Sequence, residues 1–182
     1  MIKGTICSLK LLEAKDLNCL FDIYQNSSGT EFVEVLSQEV TKANFTRVLF
    51  GNQEPEIDVK VFCILYEEDI VGFINLTNIS LINRSGFVGS LIVKDECRCK
   101  GIGEDAISTL IEYAFNNLNL NRVHTAINDA GNLDSILKSH PYIKHEGTSR
   151  ESHFEDGKWI DVKRYAVIRK DFNKYMERIG GK

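Results

Sequence analysis

The sequence predicts a mixed α+β (α/β mixed) domain: a mostly antiparallel central sheet of six or seven strands with one parallel pair, flanked by about four helices. Three observations predict it. Residues 58–93 hold three extended runs joined by short turns, residues 102–118 carry a helical stripe (Ala106, Ile107, Leu110, Ile111, Ala114, Phe115, Leu118), and an alternating run follows at 122–127. Strand, helix and strand form a crossover, so the two strands beside the long helix should lie parallel.

In chain order, 5–12 is strand-like and 14–25 places Leu17, Leu20, Phe21 and Tyr24 on one helical face. Asn26-Ser27-Ser28-Gly29 ends that helix, and a second starts near Ser37 with Val40, Phe45, Val48 and Leu49. Strands are expected at 58–66, 70–76 and 87–93. The acidic turn Glu67-Glu68-Asp69 joins the first two, and Asn83-Arg84-Ser85-Gly86 precedes the third. The asparagine-rich 116–119 stops the long helix, and a short helix over 132–139 ends at Pro141. Residues 142–146 resume an extended run; 149–154 and 162–168 then flank the turn Glu155-Asp156-Gly157-Lys158, and 171–182 reads as a helix. No internal repeat or linker divides residues 1–182, which read as one domain.

At 182 residues the chain is long enough to bury a sizeable core, and its 43% hydrophobic and 26% charged content suits a globule. A net charge of −4 lacks the basic excess of a nucleic-acid binder. The first residues hold no apolar run long enough for a signal peptide, and no segment approaches about 18 uninterrupted apolar residues. A cytoplasmic protein without a membrane partner is expected. The five cysteines, Cys7, Cys19, Cys63, Cys97 and Cys99, lack C-x-x-C spacing, so reduced thiols and no metal site are expected. Cys97 and Cys99 flank Arg98 in a turn; one is a candidate low-pKa thiolate, the alternative being a small filler residue.

Residues 90–118 carry the chemistry. The run Leu91, Ile92, Val93 leads through a basic, glycine-bearing turn (Arg98, Lys100, Gly101, Gly103) into the long helix. The first helix amides have no intrahelical acceptor, the dipole adds about half a positive charge, and glycines let a ligand approach the backbone. A small phosphate-bearing ligand is the expected occupant. Gly101, Gly103 and Ala106 also read as G-x-G-x-x-A, a dinucleotide fingerprint, which expects an acid about 20 residues on. Asn119 to Asn121 stand there, so that reading ranks low, and the lack of Gly-Lys-Ser/Thr after Gly103 excludes a Walker-type loop.

The R-x-x-G-x-G at Arg98, Gly101 and Gly103, the amphipathic helix, the parallel strand and the Asn-x-x-Ser at Asn132 and Ser135 together resemble the GNAT acetyltransferase superfamily. Within it the chain is most similar to the branch of ribosomal-protein N-terminal (alanine/serine) acetyltransferases and related amine acetyltransferases. Val71-Gly72-Phe73-Ile74, Asn83-Arg84-Ser85, Asp105-Ala106, Asn121-Arg122-Val123, the run 146–151 and Gly157-Lys158-Trp159-Ile160-Asp161 carry that likeness. It covers about 5–172, and residues 27–55 match little.

The resemblance implies the GNAT fold with a splayed parallel pair, and acetyl-CoA as co-substrate with no metal. It also implies an N-acetyltransferase moving an acetyl group to a primary amine, on a peptide N-terminus or a small molecule, by direct attack in a ternary complex; a homodimer is compatible with it. Carried over, the cradle is Arg98, Cys99, Lys100, Gly101, Ile102, Gly103 and Glu104, while the backbone of Leu91, Ile92 and Val93 pairs with the pantetheine arm. Asn128 and Asn132 hold the arm from the other side. Ser135 is the first candidate beside the sulfur, against a plain helix-capping hydroxyl. By position from Gly147 the base falls on His153, with Glu151 two residues earlier and expected on the same face, against a solvated strand edge. His124 either faces the cofactor or packs. His140 and His145 are assigned to structure or surface, and Tyr142 and Trp159 to packing, against acceptor contacts. The family's helix after Asn-x-x-Ser is longer, and the tyrosine acid some relatives carry there has no counterpart; Ser139 or His140 falls near its place. That departure motivates the alternative of a non-catalytic acetyl-CoA-binding or partner-binding module. Acceptor specificity is expected in 27–55 and 79–85.

Overall fold

The computed structural model describes residues 1–27, 41–50, 58–128, 133–155 and 157–180. Among them eight strands form one sheet: β1 (Ile2–Lys3), β2 (Ser8–Leu11), β3 (Lys60–Tyr66), β4 (Asp69–Ser80), β5 (Ser85–Val93), β6 (Arg122–Asn128), β7 (Lys144–Glu155) and β8 (Lys158–Ile168). The spatial order is β1-β2-β3-β4-β5-β6-β8-β7, and only β5 and β6 run parallel. Five helices cover it: α1 (Leu17–Asn26), α2 (Lys42–Phe50), α3 (Ile102–Asn116), α4 (Leu133–Ser139) and α5 (Arg169–Gly180). The mixed, mostly antiparallel architecture is as expected. The eighth strand is β1, whose two residues are too short to show a period, and the fifth helix is the tail. Residues 37–40 of the expected second helix lie outside the described residues.

The alternation of apolar residues along the strands builds a core on each face. On one, Ile107, Leu110, Ile111 and Ala114 of α3 pack on Ile74, Leu76, Val88, Leu91 and Val123. On the other, Leu20 and Phe21 of α1 and Phe45 and Leu49 of α2 pack on Val61, Cys63, Phe73 and Ile92. Phe45 meets Phe21 and Phe73 edge-on, at centroid distances of 5.3 and 6.1 Å. Fully burying each such ring contributes about 1.5–3 kcal/mol, so the sheet is held between two layers.

Two irregularities shape the middle of the sheet. The β4–β5 register passes from Ile74↔Leu91 to Leu76↔Val88, so Gly89 and Ser90 together oppose Asn75: a β-bulge on β5. The β5–β6 ladder then consists of Ser85↔Arg122, Gly86↔Val123 and Phe87↔His124 alone. Thr125 Oγ1 donates to the Val88 carbonyl (2.9 Å), and beyond it Leu91 to Val93 have no ladder partner on β6 among the described residues. The parallel pair is splayed, as the resemblance implies.

The far hairpin corrects one expectation. β7 joins the runs expected at 142–146 and 149–154 into one strand that starts only at Lys144, and its pairing with β8 slips between His145 and Gly147 and again between Ser149 and His153. Glu151 sits in the second slip with φ of +49°. Its amide donates to Asp161 Oδ1 (2.9 Å), so simple alternation does not put Glu151 and His153 on one face.

Candidate active site

The chain leaves β5 through a 3-10 turn, Asp95–Cys97, and enters α3 through two left-handed residues, Cys99 (φ +59°) and Gly101 (φ +77°). Glycine suits the second, because a Cβ there would be strained and 3.0 Å from Ile6 Cδ1. Left-handed residues in such a turn curve successive amides into an anion-binding concavity, here capped onto the start of α3. Arg98 Nε is braced by Asp95 Oδ1 at 3.0 Å, and Lys100 Nζ lies 5.8 Å from the centre of the Tyr66 ring.

An open cleft of about 390 Å³ runs from this turn along β5 to α4. Its lining brings together Leu91, Val93, Arg98, Cys99, Gly101, Ile102, Gly103, Glu104 and Ser135, nine of the cofactor and catalytic candidates, with the candidate thiol Cys97, and Ile136 besides. A Cβ on Gly103 would meet protein only at Leu91 Cδ2, 3.4 Å away. Packing therefore does not require glycine there, whereas a ligand lying against the backbone would. The donor set of helix amides and basic side chains, and the unpaired edge of β5, fit a phosphate-bearing ligand with an extended amide-bearing arm.

The remaining sequence candidates lie around this cleft. Lys100 is exposed beside it, and Ile92 turns its side chain into the opposite core. Asn128 ends β6, half-buried, and Asn132 lies outside the described residues. His153 and Glu151 are not among the cleft's lining residues. They lie past the Asn128↔Val162 pair, on the part of the hairpin that extends beyond the end of β6 at which the parallel pair has separated. Cys97 is buried and Cys99 exposed, and the described residues contain no cluster of three or more potential metal ligands. No helix among them is long and apolar enough to cross a membrane.

Three further features escape sequence reading because their partners are distant in the chain. The first is Asp105, in the opening turn of α3. Its carboxylate accepts the amides of Thr5 (3.0 Å), Ile6 (2.9 Å) and Cys7 (2.9 Å), clamping the N-terminal turn beside the cradle. Burial pushes this carboxyl upward, but the three amides outweigh it and hold it below the ordinary range. The neighbouring Cys7 thiol, buried and beside Asp105, is pushed up to about 12.

The second is Asp134, next to Ser135 on α4. It accepts hydrogen bonds from Lys138 Nζ (2.6 Å), Tyr165 Oη and Lys163 Nζ (3.3 Å). Lys138 first, then Tyr165, lower its carboxyl to about 2. Tyr165 is buried in β8, so this cluster ties the helix carrying Ser135 to the sheet.

The third surrounds His140, buried at the end of α4 as the structural assignment expects. The Ile136 carbonyl can only accept, so Nδ1, 2.9 Å away, donates to it. Nε2 lies 3.0 Å from Ser108 Oγ and 3.7 Å from Glu104 Oε1, and Ser139 Oγ donates to the Ile136 carbonyl at 2.8 Å. Tyr142 is buried with its hydroxyl 3.4 Å from Ser108 Oγ, and burial raises its pKa. Trp159, assigned to packing, is instead 62% exposed and stacks on exposed Phe154. His124 stacks edge-on against Phe87 at 5.4 Å, and burial, with Arg122 nearby, pushes its imidazole below the ordinary value.

Comparison with known proteins agrees with this geometry. The chain is 29% identical over 109 residues to the YdaF protein of Bacillus subtilis strain 168, provisionally named a ribosomal N-acetyltransferase; the match covers 60% of this chain and 59% of that protein. It is 27% identical over 112 residues to a spermidine N(1)-acetyltransferase of Vibrio cholerae serotype O1, covering 62% of each. The chain thus spans about three-fifths of the length of these relatives. A crystal structure of spermidine N-acetyltransferase from Vibrio cholerae with CoA and spermine superposes with a TM-score of 0.73 at 21% identity, covering 93% of this chain and 99% of that one. The sequence profile of the acetyltransferase (GNAT) family matches residues 21–137, well over half of the sequence. The fold, the splayed pair and the cradle therefore have one explanation: the chain belongs to the acetyltransferase (GNAT) family.

Proposed function

We propose that the protein is an acetyl-CoA-dependent N-acetyltransferase that moves an acetyl group to a primary amine by direct attack in a ternary complex. The observation that carries this reading is the continuity of one cleft from the anion cradle at Arg98–Glu104, along the unpaired edge of β5, to Ser135. Acetyl-CoA supplies an activated acyl thioester. The cradle amides hold its pyrophosphate, and the edge of Leu91 to Val93 pairs with its pantetheine amides. In this reading a backbone N–H of the bulge at Gly89–Ser90 polarises the thioester carbonyl. Asn128 and Asn132 flank the arm.

Ser135, in the lining of the cleft, donates to the departing sulfur in this reading. His153, with Glu151, is the group that takes the proton of the attacking amine, from a hairpin that overhangs the same end of the sheet. A positioned base contributes about 10²–10⁴ in rate. The acceptor enters from the face of α1 and α2, where a second cleft of about 550 Å³ opens between α1 and the 3-10 turn before the cradle. The reading extends to a cytoplasmic enzyme, compatible with a homodimer.

Thiol release from acetyl-CoA, measured over peptides, amino acids, polyamines and aminoglycosides, tests it. Turnover of at least one amine, together with CoA protection in a thermal melt, is the expected result. Protection without turnover on any acceptor would favour the non-catalytic binding module, and no protection would remove both. An unchanged kcat in Ser135→Ala, His153→Ala or Glu151→Gln would remove that residue from the mechanism.

A further inference from the structure

Among the described residues, two buried side-chain atoms have no hydrogen-bond partner, Asn75 Oδ1 and His124 Nδ1. Asn75 is the one whose orientation its surroundings fix. It is 3% exposed, in the middle of β4, two residues from Phe73 and so on the same face, the one covered by α1 and α2. The Leu49 carbonyl at the end of α2 can only accept, so the amide group facing it at 3.0 Å is Nδ2. That leaves Oδ1 at the bulge: a Cβ on Gly89 would fall 2.3 Å from it.

A buried acceptor with no donor is costly, and an apolar side chain of similar shape would avoid the cost. The unpaired atom stands where the acceptor-side face meets the bulge assigned to the thioester. We infer that Asn75 Oδ1 is the acceptor-recognition atom: it takes an N–H of the incoming primary amine and presents the nitrogen to the bulge of β5 from the α1/α2 side.

This inference rests on the acetyltransferase reading above, and it narrows the substrate class. An amide oxygen accepts a hydrogen bond but cannot remove a proton at neutral pH. The core on this face of the sheet is apolar and aromatic, with Phe45 packed on Phe21, Tyr24 and Phe73. Such a site favours an amine that arrives uncharged. An α-amine, with a pKa of about 7.7–8.0, does so far more readily than a lysine-type amine at about 10.4. The class is therefore the free N-terminus of a peptide or protein rather than a polyamine. Oδ1 is shielded from solvent, so the side chains over it must part as the acceptor enters.

The test uses the full chain with acetyl-CoA and two probes, a peptide with a free N-terminal alanine and spermidine. Asn75→Leu removes both amide groups, whereas Asn75→Asp keeps an oxygen acceptor and loses the donor to Leu49; Asn75→Thr replaces the aspartate variant should that one fail to fold. The unsubstituted protein is expected to prefer the peptide. Asn75→Leu should lower kcat/KM for the peptide about tenfold or more, chiefly through KM, with CoA protection in the melt unchanged. Asn75→Asp, which keeps an oxygen acceptor, should lose less, holding kcat/KM for the peptide at least about threefold above that of Asn75→Leu. Equal losses in both variants would leave Asn75 only its anchoring bond to Leu49 and overturn the inference, as would an unaffected Asn75→Leu. Preference for spermidine would overturn the substrate class. Turnover of neither probe, with CoA still protecting, would overturn this inference while leaving cofactor binding intact; loss of CoA protection in the unsubstituted protein would fell the functional reading itself.

Discussion

Asp105→Asn is the sharpest test of how the cradle is held. Oδ2 accepts the amides of Ile6 and Cys7 and Oδ1 that of Thr5. An asparagine keeps two of these only if its oxygen takes the Oδ2 place, which turns its NH₂ toward the Thr5 amide. One bond is then lost at an exposed residue, where water replaces it at little cost. The other two lose their charge assistance, worth about 1 kcal/mol each from the difference between charged and neutral hydrogen bonds. The sum is about 2–3 kcal/mol, or a Tm lower by about 5–10 °C for a chain of this size.

The pH dependence has a fixed sign. A carboxyl depressed in the folded state contributes stability that is fully present above its unfolded pKa, about 3.9, and is lost as pH falls through the lower folded value. Asparagine does not titrate, so the gap between the two proteins should be constant near pH 7 and close below about pH 4. Urea denaturation followed by circular dichroism at pH 7 and pH 3 reads both quantities. A gap under about 0.5 kcal/mol at pH 7, or one that does not narrow in acid, refutes the clamp.

Gly101→Ala forces an alanine to φ +77° and brings its Cβ to 3.0 Å from Ile6 Cδ1; it should cost about 1–2 kcal/mol and reduce CoA protection in a melt at least tenfold in affinity terms. Asp134→Asn should cost about 1–2 kcal/mol at pH 7, discounted for the exposure of Lys138, with the difference disappearing as pH falls from about 4 toward the folded value of about 2. A difference that persists at pH 2 would place the effect in packing. Gly89→Ala, whose Cβ would fall 2.3 Å from Asn75 Oδ1, should lose about 1–3 kcal/mol by denaturation, and pairing it with Asn75→Ala should recover part of that loss.

The elements that show a period were legible in the sequence. α3 is marked by its apolar stripe, and the crossover rule then makes β5 and β6 the parallel pair. The cradle was legible too, because strand, glycine turn and helix are contiguous. Eight candidate residues lining one cleft lie within the stretch 90–118, and Ser135 is the ninth. What stayed hidden depends on distance or on broken alternation. Asp105 and Asp134 look like ordinary helix acids until residues 5–7 and Tyr165 fold against them. The slips in β7 conceal which face Glu151 takes, since one inserted residue reverses every later side chain. Gly89, a glycine inside an apolar strand, was the available signal for the β5 bulge. Asn75, a polar residue in a run reading as buried strand, was the available signal for its unusual site.

The three-pair ladder between β5 and β6 also sets where the molecule is mechanically weakest. Strands β1 to β5 form one hydrogen-bonded block and β6, β8 and β7 another, joined in the sheet by that seam and the Thr125–Val88 bond, with α3 packed across both. A tear along the seam breaks fewer backbone bonds than separation of any other long pair of neighbouring strands in the middle of the sheet. Amide hydrogens of Gly86 to Val88 and Val123 to Thr125 should then exchange through a smaller opening than those of the β3–β4 ladder. The ligand arm proposed for the splay would add bonds to both blocks at once and so act as a suture across the line along which the protein would otherwise part.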